Sequence, residues 1–207
     1  MKSEKVLFLT QTAFFGIIAA IIMLFEFPIF FVPGFYKLNF GDTIVLIGGF
    51  ILGPVAGIMI EFIKTILFIL IRGTSTLFIG EAASFVTGCA FILPSCIIYK
   101  KKRTLESAIR GMLLGIISLM MVSGCLNYFI LLPLYSRFFG LPIQKFILIA
   151  NLVNSHIHNL FTFTIFAVIP FNFIRGTISC FAAIVIYKKT SRFIEKIVVK
   201  TKCRNKL

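Results

Sequence analysis

Apolar residues in this sequence come in long, uninterrupted runs of about 20. A run of that length matches an α-helix that crosses the hydrocarbon core of a bilayer. The chain has 207 residues, of which 59% are hydrophobic and only 14% are charged, whereas about a quarter of the residues in a soluble domain are charged. The sequence therefore predicts an all-α integral membrane protein, and it excludes a disordered segment and an ordinary soluble enzyme.

We predict six membrane-spanning helices that form one domain, residues 1–190, followed by a basic tail, residues 191–207. The apolar block 38–71 is too long for one span, and we divide it at Gly53-Pro54 because proline is favoured at the start of a helix. An apolar stretch at 146–153, inside the connection 135–158, is too short to span and is predicted to be an interfacial or lid helix. The predicted spans are 6–25, 38–52, 54–71, 79–99, 109–132 and 159–187.

The basic residues indicate how the helices are oriented. The chain carries 21 Lys and Arg against seven Asp and Glu, a net charge of +14. Fifteen of the 21 lie at the N-terminus, at 100–110 and at 188–206, and six spans place all three clusters on one side of the membrane. Because Lys and Arg mark cytoplasmic segments, we predict cytoplasmic termini. The basic clusters can then contact anionic lipid headgroups, and we do not expect nucleic acid as a partner.

Polar side chains inside a membrane are costly, so those within the predicted spans are candidates for function. Asn127 lies in the fifth span, and Asn172 and Arg175 share one face of the sixth at spacing i, i+3. Asp42 and Glu81 stand near the outer ends of their helices. Carboxamides, a guanidinium and aromatic walls suit a planar, mostly neutral small molecule with a polar edge. The alternative is that the two asparagines cross-link helices.

Two other patterns within the spans allow both a structural and a functional interpretation. Glu61 and Lys64 lie one helical turn apart, which predicts an intrahelical ion pair that a neighbouring helix can reinforce. Thr12, Gly16 and Ala20 form a stripe of small residues on the first span. Such a stripe allows close helix packing, either within this chain or against another membrane subunit.

Several enzyme and metal motifs are missing from the sequence. It contains no G-x-x-x-x-G-K-[ST] phosphate loop, no H-E-x-x-H and no G-x-S-x-G. His156 and His158 supply two ligands where a zinc site needs three or four. We therefore expect no enzyme and no metal site. The alternatives that remain open are a proton-coupled carrier and an intramembrane enzyme, each using acids such as Glu61, Asp42 or Glu81.

Seven segments, in this order, resemble the riboflavin-specific substrate-binding subunits (S components) of energy-coupling factor transporters. The resemblance covers nearly the whole chain, from the first span to Tyr187. The segments are LFEFP at 24–28, KLNFGD at 37–42, GGFILGPVAG at 48–57, GTST at 73–76, GE at 80–81, NYFILLPLY at 127–135 and PFN at 170–172.

The resemblance implies a six-helix protein of the bacterial cell membrane that binds a vitamin in an outward-facing cavity and needs no resident cofactor. It implies assembly with a transmembrane coupling subunit and two cytoplasmic ATPases, docked through small residues on the first helix. The asparagines of N-Y-F and P-F-N, here Asn127 and Asn172, are expected to bond the flavin. Where the family usually has Lys, this chain has Arg175, which keeps the charge with a bulkier, forked donor. The remaining expected contacts are Asp42, Glu81, Lys37, Gly80 and Tyr128, and the alternative within the family is a different vitamin or a flavin analogue.

Overall fold

The computed structural model describes residues 2–29, 32, 36–74, 76–140 and 142–204. Two short strands, β1 (Phe27–Pro28) and β2 (Lys37–Leu38), pair antiparallel between the first two helices. Two π-helical turns, π1 (Asn127–Leu131) and π2 (Thr164–Val168), interrupt the later helices. The α-helices are α1 (Lys2–Met23), α2 (Gly41–Leu52), α3 (Pro54–Arg72), α4 (Ile79–Lys102), α5 (Leu105–Leu126), α6 (Leu132–Phe139), α7 (Ile143–Val153), α8 (Leu160–Phe163) and α9 (Ile169–Arg204).

Among the described residues, five helical segments are long and apolar enough to cross a membrane: Ser3–Met23, Pro54–Arg72, Ile79–Lys102, Leu105–Phe138 and Leu160–Tyr187. The predicted second span is present as α2, but its 12 residues extend only about 18 Å, less than the roughly 30 Å of a hydrocarbon core. The short helix predicted at 146–153 is confirmed as α7. The predicted tail continues α9 as far as Arg204, and residues 205–207 lie outside the described part.

Proline produces both π turns. Pro133 follows π1 by two residues, and Pro170 follows π2 by two residues. A proline ring lacks an N–H and collides with the carbonyl four residues earlier, and a wider turn relieves that collision without ending the helix. The prediction that the fifth span ends at Pro133 is therefore wrong, because the helical path continues through α6 to Phe139.

The short helix α2 lies at the centre of the bundle, in contact with α1, α3, α4 and α9. Val45 and Leu46 are fully buried there with Ile60 of α3 and Ile92 of α4. A methyl group on Gly49 of α2 would come within 2.5 Å of the Cys96 sulfur on α4, so this glycine allows the close approach of the two helices.

A second apolar cluster, which we call the outer cover, lies at the other end of the long helices. It joins the loop after α1 to α6, α7 and the segment around π2. Its buried members are Val32, Leu132, Ala150, Ile157, Phe163, Ala167, Val168 and Phe171, with Ile29, Tyr36, Leu38, Phe146, Ile147 and Leu160 packed against them. The first loop and α7 thus pack against π2 and the start of α6, next to the segments where the predicted asparagines lie.

Candidate functional site

Asn127 opens π1, and its carboxamide is bonded at both ends. Its Nδ2 donates to the Ser123 carbonyl at 2.8 Å, and its Oδ1 accepts from the Tyr36 hydroxyl at 2.7 Å. The side chain is buried. The two bonds fix which way the amide faces, so one N–H and one lone pair are left in defined directions.

Tyr36 reaches Asn127 from the first loop across an aromatic cluster. Its ring lies 5.0 Å from that of Phe171 and 6.3 Å from that of Phe163. Burial raises the pKa of the Tyr36 phenol well above its usual value, and the nearby Tyr135 raises the pKa further. The phenol therefore keeps its proton and remains a donor to Asn127. The loop thus supplies both an aromatic wall and a hydrogen-bond donor.

Asn172 repeats the arrangement of Asn127 on the last long helix. It lies in the first turn of α9, and its Nδ2 donates to the Val168 carbonyl at 2.9 Å. Each asparagine therefore bonds the carbonyl four residues before it, beside a π turn. The segments π1 and π2 contact each other, which brings the two predicted ligand-binding regions together.

Arg175 stands one turn beyond Asn172 and is held by Asp42. Its Nε and Nη2 both lie 2.7 Å from Asp42 Oδ2. The other oxygen of Asp42, Oδ1, accepts from Lys64 at 2.7 Å. Asp42 is 1% exposed and both of its oxygens are engaged, so it positions the guanidinium, whereas the 11% exposed Arg175 side chain retains unused N–H groups for a ligand.

Glu61 completes a buried network of two acids and two bases with Lys64, Asp42 and Arg175. The ammonium of Lys64 lies 2.7 Å from Glu61 Oε2, and both side chains are fully buried. This confirms the predicted ion pair and its reinforcement from a neighbouring helix. Neither Glu61 oxygen has a well-directed hydrogen bond among the described residues, so charge alone joins this pair. Glu61 lies against Gly88 of α4, where any methyl group would overlap its Oε1.

Lys37 lies in an ion-pair group that closes the first loop. Its ammonium is 3.2 Å from Glu26 Oε2, and the same oxygen accepts from Arg72 at the end of α3. Lys37 on β2 is thereby tied to the residue that precedes β1. These contacts give Lys37 a role in holding the loop.

Gly80 and Glu81 lie together at the start of α4. The Thr76 hydroxyl donates to Glu81 Oε2 at 2.6 Å and accepts from the Gly80 amide at 3.2 Å. A methyl group on Gly80 would approach the Tyr135 hydroxyl within 2.9 Å, so this residue allows α6 to lie close. Tyr128 packs edge-on against Phe129, with 4.8 Å between the ring centroids.

The small-residue stripe on α1 faces into the molecule. Thr12 and Ala20 are buried, and a methyl group on Gly16 would come within 2.5 Å of Ile63 on α3. The stripe thus packs within the chain, one of the two alternatives that the sequence left open. A docking surface made of these three residues is not accessible in this conformation.

Three comparisons agree with this geometry. A family model described as the ECF transporter, substrate-specific component, matches residues 7–187. The riboflavin transporter RibU of Staphylococcus aureus (strain TCH60) is 34% identical over 180 residues, covering 87% of this chain and 88% of that protein. The riboflavin transporter FmnP of Bacillus subtilis (strain 168) is 31% identical over 197 residues, covering 95% and 96% respectively.

A solved structure of the S component of a bacterial ECF transporter has a similar fold. It superposes with a TM-score of 0.72 at 30% identity, covering 92% of this chain and 98% of that chain. With the family model extending over residues 7–187, the chain belongs to the substrate-specific components of energy-coupling factor transporters, which are bacterial membrane proteins.

Proposed function

We propose that this chain captures riboflavin on the outer side of the cell membrane for import. The observation that carries the proposal is the pair of buried carboxamides, Asn127 and Asn172, each beside one of two π turns that contact each other. The names of the relatives at 34% and 31% identity, both riboflavin transporters, support this ligand.

The chemistry of a flavin fits these groups. One edge of its planar ring system offers an N–H between two carbonyls, and a carboxamide and a guanidinium can satisfy that edge. Asn127 and Asn172 would bond the ring edge, and Arg175 would add N–H donors. The Tyr36 ring would lie beside the flat face of the flavin. Glu81, Gly80 and Tyr128 would meet the ribityl chain or the ring from the side of α4 and π1.

We also propose the arrangement in the membrane. Six helices cross or enter the bilayer, with both termini cytoplasmic, because the three basic clusters then share the cytoplasmic side. The 12-residue α2 enters from outside and turns within the bundle at Gly53. The chain works with a transmembrane coupling subunit and two cytoplasmic ATPases, which supply the free energy for import.

The buried ion network disfavours the proton-coupled alternative. Two acids and two bases balance at zero net charge, and Lys64 contacts both acids. A proton added to Glu61 would leave a net positive charge beside the fully buried Lys64, which is costly. The chain should therefore show no riboflavin uptake in liposomes that lack the ATPases.

Riboflavin titration of the purified protein, followed by quenching of flavin fluorescence, tests the ligand and the site together. Replacing Asn127 and Asn172 by Ala should weaken binding about tenfold or more, because the polar edge of the flavin would lose its partners. The matched control is Asn151→Ala on α7, which removes a carboxamide that bonds loop carbonyls and should leave affinity unchanged. Unchanged affinity in the double variant would remove the two asparagines from the site, and a wild-type protein that quenches no riboflavin would exclude the ligand.

A further inference from the structure

The helix α7 carries an apolar face that no other part of the described chain covers. Leu148 and Leu152, one turn apart, are 63% and 87% exposed, and Ile149 and Val153 beside them are also exposed. On the opposite side of the helix, Ala150 is fully buried in the outer cover. The exposed side therefore carries large apolar residues as the buried side does, unlike a helix whose outer side faces water.

The position of α7 indicates what this face touches. Four residues, 139–142, separate α7 from the end of the membrane-spanning segment Leu105–Phe138, and six residues, 154–159, separate it from the start of Leu160–Tyr187. It contacts both α6 and α8. Phe138 and Phe161, at the ends of those two segments, are exposed as well. The apolar face of α7 therefore continues the surface that faces lipid.

We propose that α7 lies in the outer leaflet, parallel to the membrane, with Leu148 and Leu152 at the boundary between headgroups and acyl chains. Lys145 lies on the same side of the helix as Leu148 and Leu152, at helical spacing, and is exposed. A lysine in that position extends its ammonium towards lipid phosphates while its methylene groups stay in the apolar layer. An amphipathic helix with this pattern binds the interface through its apolar area and its charge.

This placement links the membrane to the cover over the site. The inner side of α7, with Phe146 and Ile147, packs in the same cluster as Tyr36 and Val32 of the first loop. Lipid would therefore contact the exposed side of the outer cover, while the π turns contact its inner side. The inference concerns the lipid contact alone and stands whether or not riboflavin is the ligand.

The sequence contains no tryptophan, so one introduced tryptophan reports its own surroundings. The full chain carrying Leu152→Trp is reconstituted in vesicles of phosphatidylcholine and phosphatidylglycerol, with or without phosphatidylcholine brominated on its acyl chains. Ile117→Trp, on the exposed face of α5, is the positive control for acyl-chain contact. Ser155→Trp, in the exposed loop after α7, is the matched control for the same end of the molecule. Far-UV circular dichroism checks that each variant is folded.

We expect bromolipid to quench the fluorescence of Leu152→Trp at least about half as strongly as that of Ile117→Trp, and that of Ser155→Trp far less. The emission of Leu152→Trp should also be blue-shifted. Emission at a water-like wavelength with no bromine quenching would overturn the proposal. A blue-shifted emission that bromine does not quench, and that disappears when the protein is diluted in lipid, would assign the face to a second copy of the chain and would also overturn it.

Discussion

The buried network predicts that removing two charges together is less harmful than removing one. Lys64→Met removes the ammonium that contacts the fully buried Glu61, and the Arg175 guanidinium is engaged with Asp42. Breaking a buried pair in this way costs about 3–5 kcal/mol. In the double variant with Glu61→Gln, the remaining Asp42–Arg175 pair is neutral. Replacing both members of a buried pair is often close to neutral, so the double variant should be more stable than Lys64→Met by about 3 kcal/mol.

The assay is equilibrium unfolding in mixed micelles with increasing SDS, followed by far-UV circular dichroism for the wild type, the two single variants and the double variant. The control cycle uses Glu106 and Arg110, an exposed i, i+4 pair on α5. Its coupling free energy should be about 0.5 kcal/mol or less, because water screens exposed ion pairs. The difference between the two cycles isolates the effect of burial.

One result would refute this account of the network. If the double variant is destabilised by the sum of the two single changes, then Glu61 and Lys64 act independently, and the 2.7 Å approach of Lys64 to Glu61 is not a stabilising contact. A coupling in the control cycle as large as that in the buried cycle would equally show that burial is not the cause.

Three further predictions concern the site and its cover. Tyr36→Phe keeps the aromatic packing but removes the bond to Asn127, so riboflavin affinity in a fluorescence titration should fall about fivefold, the equivalent of about 1 kcal/mol; unchanged affinity would contradict an orienting role. Gly88→Ala inserts a methyl group against the buried carboxylate and should cost about 1–3 kcal/mol of unfolding free energy, whereas Gly124→Ala, whose methyl group has its nearest neighbour at 3.6 Å, should cost clearly less in the same assay. Glu26→Gln weakens the ion pairs that close the first loop, so the dissociation rate of riboflavin in stopped-flow fluorescence should rise about two- to fivefold; an unchanged rate would separate the loop from ligand release.

The sequence was sufficient for the membrane class and for most helix positions, because long apolar runs report helix length directly. The break at Gly53-Pro54 was predicted correctly, since a glycine with positive φ and a proline end one helix and begin the next. Pro133 was misread because a proline looks the same in sequence whether it ends a helix or follows a π turn. Packing around the site decides whether the helix ends or continues at such a proline, and local sequence does not show that packing.

The polar candidates for the site could be chosen from the sequence because each is costly in a membrane, but most of their partners could not. Tyr36 gave no signal, since one more aromatic residue in a Phe-rich loop is unremarkable in composition. Asp42 has two partners, Lys64 and Arg175, which follow it in the sequence by 22 and 133 residues. Only the fold brings residues so distant in sequence together. The role of Asp42 as a positioning residue therefore emerged from structure alone.

The neutrality of the network explains how a cationic side chain can serve a site for an uncharged ligand. An isolated Arg175 would favour anions and would be costly to bury. Paired with Asp42, it contributes no net charge, and its remaining N–H groups keep their directions because two of its nitrogens are fixed on one carboxylate oxygen. In the proposed site, selection would rest on the pattern of donors and acceptors, which Asn127 and Asn172 would extend. Lys64, itself paired with Glu61, holds the other oxygen of Asp42, so we expect selectivity to depend on charges buried deeper in the bundle.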